Sequence, residues 1–116
     1  MNPDGTIAGV NEASWQSVVC DYARLRGWRW WHFADSRRQA GGRLVGDVGA
    51  AGFPDLVLAH PVHGVVFAEL KGPKGRLTAV QVDVLDTLVA AGARVRVWRP
   101  DDWHDVRKVL DGLEGE

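Results

Sequence analysis

A single cysteine, Cys20, excludes an internal disulfide, and no apolar run approaches the roughly 18 residues of a membrane span. The stretch from Met1 to Val10 lacks the basic and apolar regions of a secretory signal, so a reducing, cytoplasmic setting without a membrane is expected. Repeats, low-complexity tracts and an interdomain linker are also missing. A chain of 116 residues, 46% of them hydrophobic, is therefore expected to form one domain over residues 1–116, with 1–10 as a loose lead-in. His32, His60, His63 and His104 stand at no metal-ligand spacing with one another or with Cys20, which argues against zinc. The glycines from Gly41 to Gly52 are not followed by Gly-Lys-Ser/Thr, so no phosphate-binding loop and no organic cofactor is expected.

Net charge is also nearly absent, at −1, but the balance is uneven along the chain. Arg24, Arg26, Arg29, Arg37, Arg38 and Arg43 are opposed only by Asp35 between Tyr22 and Gly46. Lys71, Lys74 and Arg76 form a second basic cluster, whereas after Pro100 six acids face only Arg107 and Lys108. A polyanion would find a place to bind despite the neutral sum, although charges that merely solvate helix ends would look the same.

The spacing predicts a helix from an Asn11 cap to Gly27, with Trp15, Val18, Val19, Tyr22 and Leu25 on its buried stripe. Trp28 to Phe33 is aromatic and β-prone, a first strand, and its three tryptophans cannot all face inward; core packing is their default role, with a dimer contact or a stacked base as the alternative for one of them. A glycine-rich polar loop follows from Asp35 to Gly52, long enough to be a candidate binding element. Two apolar runs, Asp55 to Ala59 and Val65 to Leu70, flank His60-Pro61-Val62-His63-Gly64 and read as an antiparallel hairpin. Thr78 then caps a helix to about Ala91, with Val84, Leu85 and Leu88 inward. Arg94 to Trp98 is a fourth strand, and Pro100 opens a last helix with the stripe Trp103, Val106, Leu110 and Leu113. The expected fold class is α/β, in the order αβββαβα, a mixed sheet flanked by helices.

The hairpin carries the chemistry. A turn centred on Val62 sets Asp55 directly opposite Glu69, at the end of an otherwise apolar strip with Val57, Ala59, Val65 and Phe67. Opposed residues have Cβ atoms about 4.5–5.5 Å apart, where like charges repel. A divalent cation such as Mg²⁺, which takes carboxylate oxygens, would turn that repulsion into a binding site, and Lys71 lies on the same face. The plainer alternative leaves Asp55 capping the turn after Pro54, with Glu69 and Lys71 at an exposed strand end; a register slip would also part the acids. Glu12 shares the buried stripe of the first helix and either joins the acids or simply favours the helix N-terminus. Gln81 either faces the site or completes a capping box with Thr78.

Gly52-Phe53-Pro54-Asp55-Leu56, then Phe67-Ala68-Glu69-Leu70-Lys71, then Gln81 on the next helix, resembles the PD-(D/E)XK nuclease superfamily and its VRR-NUC branch. Glu12 and the Ser36-Arg37-Arg38 loop extend the likeness from about Asn11 to Trp98. The resemblance implies a restriction-endonuclease-like αβββαβ core, Mg²⁺ or Mn²⁺ dependence, and hydrolysis of phosphodiester bonds in DNA. It also implies that small free-standing members, often phage-encoded, act as homodimers on Holliday junctions. On this likeness Asp55, Glu69 and the Leu70 carbonyl would hold the metal, and Glu12 would reach it directly or through water. Lys71 would orient the attacking water and stabilise the scissile phosphate, and Gln81 would support the ligands or touch a nucleotide. Ser36, Arg37, Arg38 and Arg43, with Lys74 and Arg76, would contact DNA phosphates. The expected activity is thus that of a junction-resolving endonuclease. The alternatives are a nuclease acting on flaps, single strands or ends, and a non-catalytic DNA-binding module on the same fold.

Overall fold

The computed structural model describes residues 11–33, 39–40, 43–44 and 51–114. Asn11 caps α1 (Glu12–Leu25): its side chain accepts from the Ser14 amide and the Ser14 hydroxyl faces back to the Asn11 amide. Gly27, at φ +87°, ends that helix and turns the chain into β1 (Arg29–His32). The expected loop from Asp35 to Gly52 contains a small antiparallel ribbon, β2 (Gln39–Ala40) with β3 (Arg43–Leu44), which two-residue strands leave no sequence pattern to announce. The hairpin follows as β4 (Leu56–His60) and β5 (Gly64–Leu70). Thr78 caps α2 (Ala79–Ala90), and β6 (Val95–Trp98) runs parallel to β5. A short 3₁₀ turn, Pro100–Asp102, leads into α3 (Trp103–Leu110).

The main sheet is mixed, in the order β1-β4-β5-β6, with β1, β4 and β5 antiparallel. A parallel strand must be reached by a crossover, and α2 supplies it between β5 and β6. The αβββαβα order expected for the principal elements is therefore found, with the small ribbon added.

Alternation divides the sheet into two faces. Leu56, Leu58, Val66, Ala68, Leu70 and Trp98 point to one side and are fully or almost fully buried. They meet Trp15, Val19, Cys20 and Ala23 of α1 and Trp103, Val106, Val109 and Leu110 of α3 in one continuous core. Trp28, just before β1, joins that core and donates its indole N–H to the Leu110 carbonyl at 2.9 Å. Tyr22 hydroxyl donates to Asp111 at 2.5 Å and Arg26 pairs with the same carboxylate at 3.0 Å, closing the far end of the two helices.

Several burial expectations need correction. Leu25, the last residue of α1, is 76% exposed because it lies to one side of the buried stripe of Trp15, Val19 and Ala23, and Leu113 lies beyond the end of α3 with 57% exposed. On α2 only Leu85 is buried; Val84 and Leu88 are half-buried, since this helix covers the opposite face of the sheet alone. Glu12, expected on the buried stripe, is exposed: as the first residue of α1 it lies outside the segment that the sheet covers.

Candidate active site

The pairing of β4 with β5 sets His60 opposite Gly64, Val57 opposite Phe67 and Leu56 opposite Ala68. Continued by one residue, the same register brings Asp55 to Glu69, as the turn centred on Val62 implied. Hydrogen bonds lock the pair in both directions: the Asp55 amide donates to Glu69 Oε1 at 3.2 Å, and the Leu70 amide donates to Asp55 Oδ2 at 3.0 Å. The neighbouring strand also ends here, because the Phe33 amide donates to the Asp55 carbonyl at 2.7 Å.

Glu69 is a charged-type side chain with 1% of its surface exposed. Burial, the hydrogen bond shared with the Asp55 carboxyl and the Asp55 charge push the Glu69 carboxyl up to about 9, against the opposing pull of Lys71 and the Asp55 amide. Such a group is costly to ionise without a positive charge beside it. Gln81 answers both readings of its position. Its Oε1 accepts from the Thr78 amide at 2.9 Å, completing the capping box, while its Nε2 donates to Glu69 Oε2 at 2.7 Å. The cap thereby fixes the amide that aims the carboxylate.

Gly52 explains how α2 comes so close. At φ +80° it occupies the left-handed region, and a Cβ there would lie 2.6 Å from the Val80 side chain and 2.8 Å from the Val80 carbonyl oxygen. Any other residue would push away the start of α2, which carries Gln81. Pro54 beside it is fully buried and holds the segment entering Asp55.

Lys71 follows β5, half-buried, two residues beyond Glu69 on the same face. Its amide donates to the Trp98 carbonyl at 3.0 Å. That oxygen also accepts the Trp15 indole N–H at 2.9 Å, so the core helix and the site share one anchor. The loop beyond carries Lys74 and Arg76, both exposed, and Arg99 holds it by donating to the Gly75 carbonyl from Nη2 at 2.9 Å and Nε at 3.3 Å. Asp102 in turn caps the Arg99 amide at 2.8 Å.

Asp55, Glu69, Lys71 and Gln81 are thus brought to one end of the central strands. Glu12 begins α1 against Gly72, whose Cβ would lie 3.6 Å from the Glu12 amide nitrogen, yet its carboxylate joins no cluster: among the described residues no three His, Cys, Asp or Glu side chains gather closely enough to hold a metal ion. At Leu70 it is the amide, not the carbonyl, whose contact with the site is seen. Ser36, Arg37 and Arg38 lie outside the described residues, as does the side chain of Arg43, whose backbone belongs to β3. Sequence reasoning did not anticipate Arg99 or the Trp98 carbonyl, which act through long-range backbone contacts without a local pattern; the glycine at position 52 was the visible signal for the close approach of α2.

The profile of the VRR-NUC domain family matches residues 14–102. The chain belongs to that family and has a nuclease-type fold. A solved VRR-NUC domain protein superposes with a TM-score of 0.55 at 18% identity, covering 90% of this chain and 91% of its own, a likeness of fold. No curated protein matches the sequence. VRR-NUC proteins are in general nucleases that depend on divalent metals and act on DNA. The donors in this chain fit such an ion: two facing carboxylates are hard oxygen ligands, one of them is buried against the charge of the other, and both are oriented by amide hydrogen bonds. Among the described residues no helix is long and apolar enough to cross a membrane.

Proposed function

We propose that this protein is a metal-dependent endonuclease that hydrolyses phosphodiester bonds in branched DNA and works as a homodimeric Holliday-junction resolvase. The observation that carries this reading is the hydrogen-bonded Asp55–Glu69 pair, Glu69 buried and Asp55 half-buried, at the end of the two central strands with Lys71 beside it. Asp55 and Glu69 would hold Mg²⁺ or Mn²⁺ with the Leu70 carbonyl, and Glu12, exposed nearby, would reach it through water. A divalent cation supplies charge to offset that developing on the phosphate and lowers the pKa of water.

The remaining work belongs to side chains. Gln81 holds the Glu69 carboxylate toward Asp55 and so fixes its oxygens before substrate arrives. Lys71 orients the attacking water and faces the scissile phosphate as negative charge grows on it, an effect worth most where water is excluded. Lys74 and Arg76 are exposed and would bind backbone phosphates, together with Ser36, Arg37, Arg38 and Arg43. Residues 1–116 would act as one nuclease domain in the cytoplasm of a bacterial or phage-infected cell. Two copies about a twofold axis would present two sites to the symmetric strands of a junction.

The test is cleavage of labelled four-way junction, flap, single-stranded and duplex DNA in Mg²⁺, Mn²⁺ or EDTA, with Glu69→Gln alongside. Paired nicks in the junction that require metal and vanish in the variant are expected. Cleavage of flaps or ends alone would replace the substrate, and folded protein that cuts no DNA would leave a binding module.

A further inference from the structure

The face of the sheet that carries Asp55 and Glu69 also carries aromatic rings that the catalytic chemistry does not need. Trp31 on the edge strand β1 and Phe33 directly after it lie on the same side as Val57 and Asp55, and each is 45% exposed. Phe53 is 38% exposed and meets Phe33 edge-on at 5.7 Å and Phe67 edge-on at 6.0 Å. The Arg29 guanidinium lies 5.7 Å from the centre of the Trp31 ring. The rings therefore form a stripe that begins beside a cation and ends at Asp55, whose carbonyl is bonded to the Phe33 amide.

We infer that Trp31 and Phe33 form a stacking platform for unpaired DNA bases next to the scissile phosphate, an assignment that rests on the nuclease reading of the adjacent carboxylates. Spacing favours unpaired over paired nucleotides. Alternate residues on a strand lie about 6.8 Å apart, twice the separation of stacked bases along a DNA strand, about 3.4 Å. Consecutive bases of a duplex cannot each occupy one ring, and their faces are hidden within the stack. Splayed bases at a branch point have both faces free and can take the two rings in turn. Phe33 is bonded to Asp55 across one strand spacing, about 4.8 Å, so a base on Phe33 lies beside the carboxylates. A second copy of the chain fits this surface poorly. Seated there, it would close the carboxylate site against substrate, because the Phe33 amide is bonded to Asp55 itself. The platform gives structure specificity a physical basis: only a strand that has left its duplex can lie on the rings and meet the carboxylates together.

The test is a titration in EDTA, where cleavage is silent. The probes are a forked DNA with 2-aminopurine at the first unpaired position and a duplex with 2-aminopurine at its centre. The intact protein is expected to quench the fork emission and not that of the duplex. Phe33→Leu keeps an apolar side chain and removes the ring face; it should weaken fork binding about tenfold, with duplex binding unchanged, and Phe33→Trp should keep both affinity and quenching. Unquenched fork emission, or equal fork affinity in Phe33→Leu, overturns the platform. So does conversion of a dimer to a monomer by Phe33→Leu with fork affinity per subunit unchanged, which would give the rings to a second copy. Should Phe33→Leu fail to fold, the emission of the intact protein decides. Quenching without cleavage in any metal would sink the nuclease reading and keep the platform; cleavage without quenching would do the reverse.

Discussion

The two faces of the central sheet are made by the same strands, often by consecutive residues, and they bury very different amounts. Leu56, Leu58, Val66 and Ala68 have no exposed surface beneath α1 and α3. Val57, Ala59 and Phe67, their immediate neighbours, are only half-buried, and Val65 is exposed. One helix covers this second face, and it contributes a single buried residue, Leu85. Glu69 is the exception, since it is as deeply buried as the core leucines although it lies on the open side. The difference separates two duties: the closed face supplies cohesion, so the open face can carry facing acids and uncovered rings at little cost to the fold.

The largest effect should come from breaking the closed face. Trp15→Ala removes a fully buried ring and the hydrogen bond to the Trp98 carbonyl, and should cost about 3–5 kcal/mol in urea unfolding. A midpoint close to that of the unaltered protein would show that the core does not bear the stability assigned to it. Next comes Lys71→Ala on the open face, expected to slow junction cleavage about 10²–10³-fold while the melting temperature hardly moves. Unchanged cleavage would remove Lys71 from the mechanism, and a large fall in melting temperature would erase the contrast between the faces.

A slope with pH sharpens the comparison further, and it concerns the one buried acid of the open face. The folded pKa of Glu69, about 9, lies above its ordinary value of 4.5, so between these the folded state holds a proton that the unfolded state has lost. The stability this contributes is complete below pH 4.5 and fades as pH rises toward 9. Measured in EDTA from pH 6 to 9, above the range where surface carboxylates titrate, the melting temperature should fall more steeply for the unaltered protein than for Glu69→Gln. Parallel curves would mean that Glu69 is ionised in the folded protein without metal.

Much of the open face was legible in the sequence for an identifiable reason. Strand alternation and a short turn fix the hairpin register, so Asp55 and Glu69 could be paired from numbering alone. Thr78 and Gln81 could be read as a capping box because that pattern is local, but only the structure shows that the same glutamine also holds Glu69. A helical spacing carries no mark of where burial stops, which is why Leu25, Leu113 and Glu12, all at or beyond helix ends, fit the apolar stripes and yet lie exposed. The ribbon β2–β3 is too short to carry a periodic signal. Exposure of Trp31 and Phe33 depends on how much of the sheet α2 covers, a tertiary quantity that no window of residues encodes.

The Trp98 carbonyl, with its two donors, has a consequence for motion. Loops that carry reactive side chains usually sit at the least protected end of a molecule, opening many times for each global unfolding event. Lys71 does not have that freedom at its backbone. Its amide donates to an oxygen that also holds the buried Trp15, so hydrogen exchange at that amide should follow the opening of the core, while the exposed Lys74 side chain, on a turn closed by the Gly75 amide on the Gly72 carbonyl, still reaches out to an arriving phosphate.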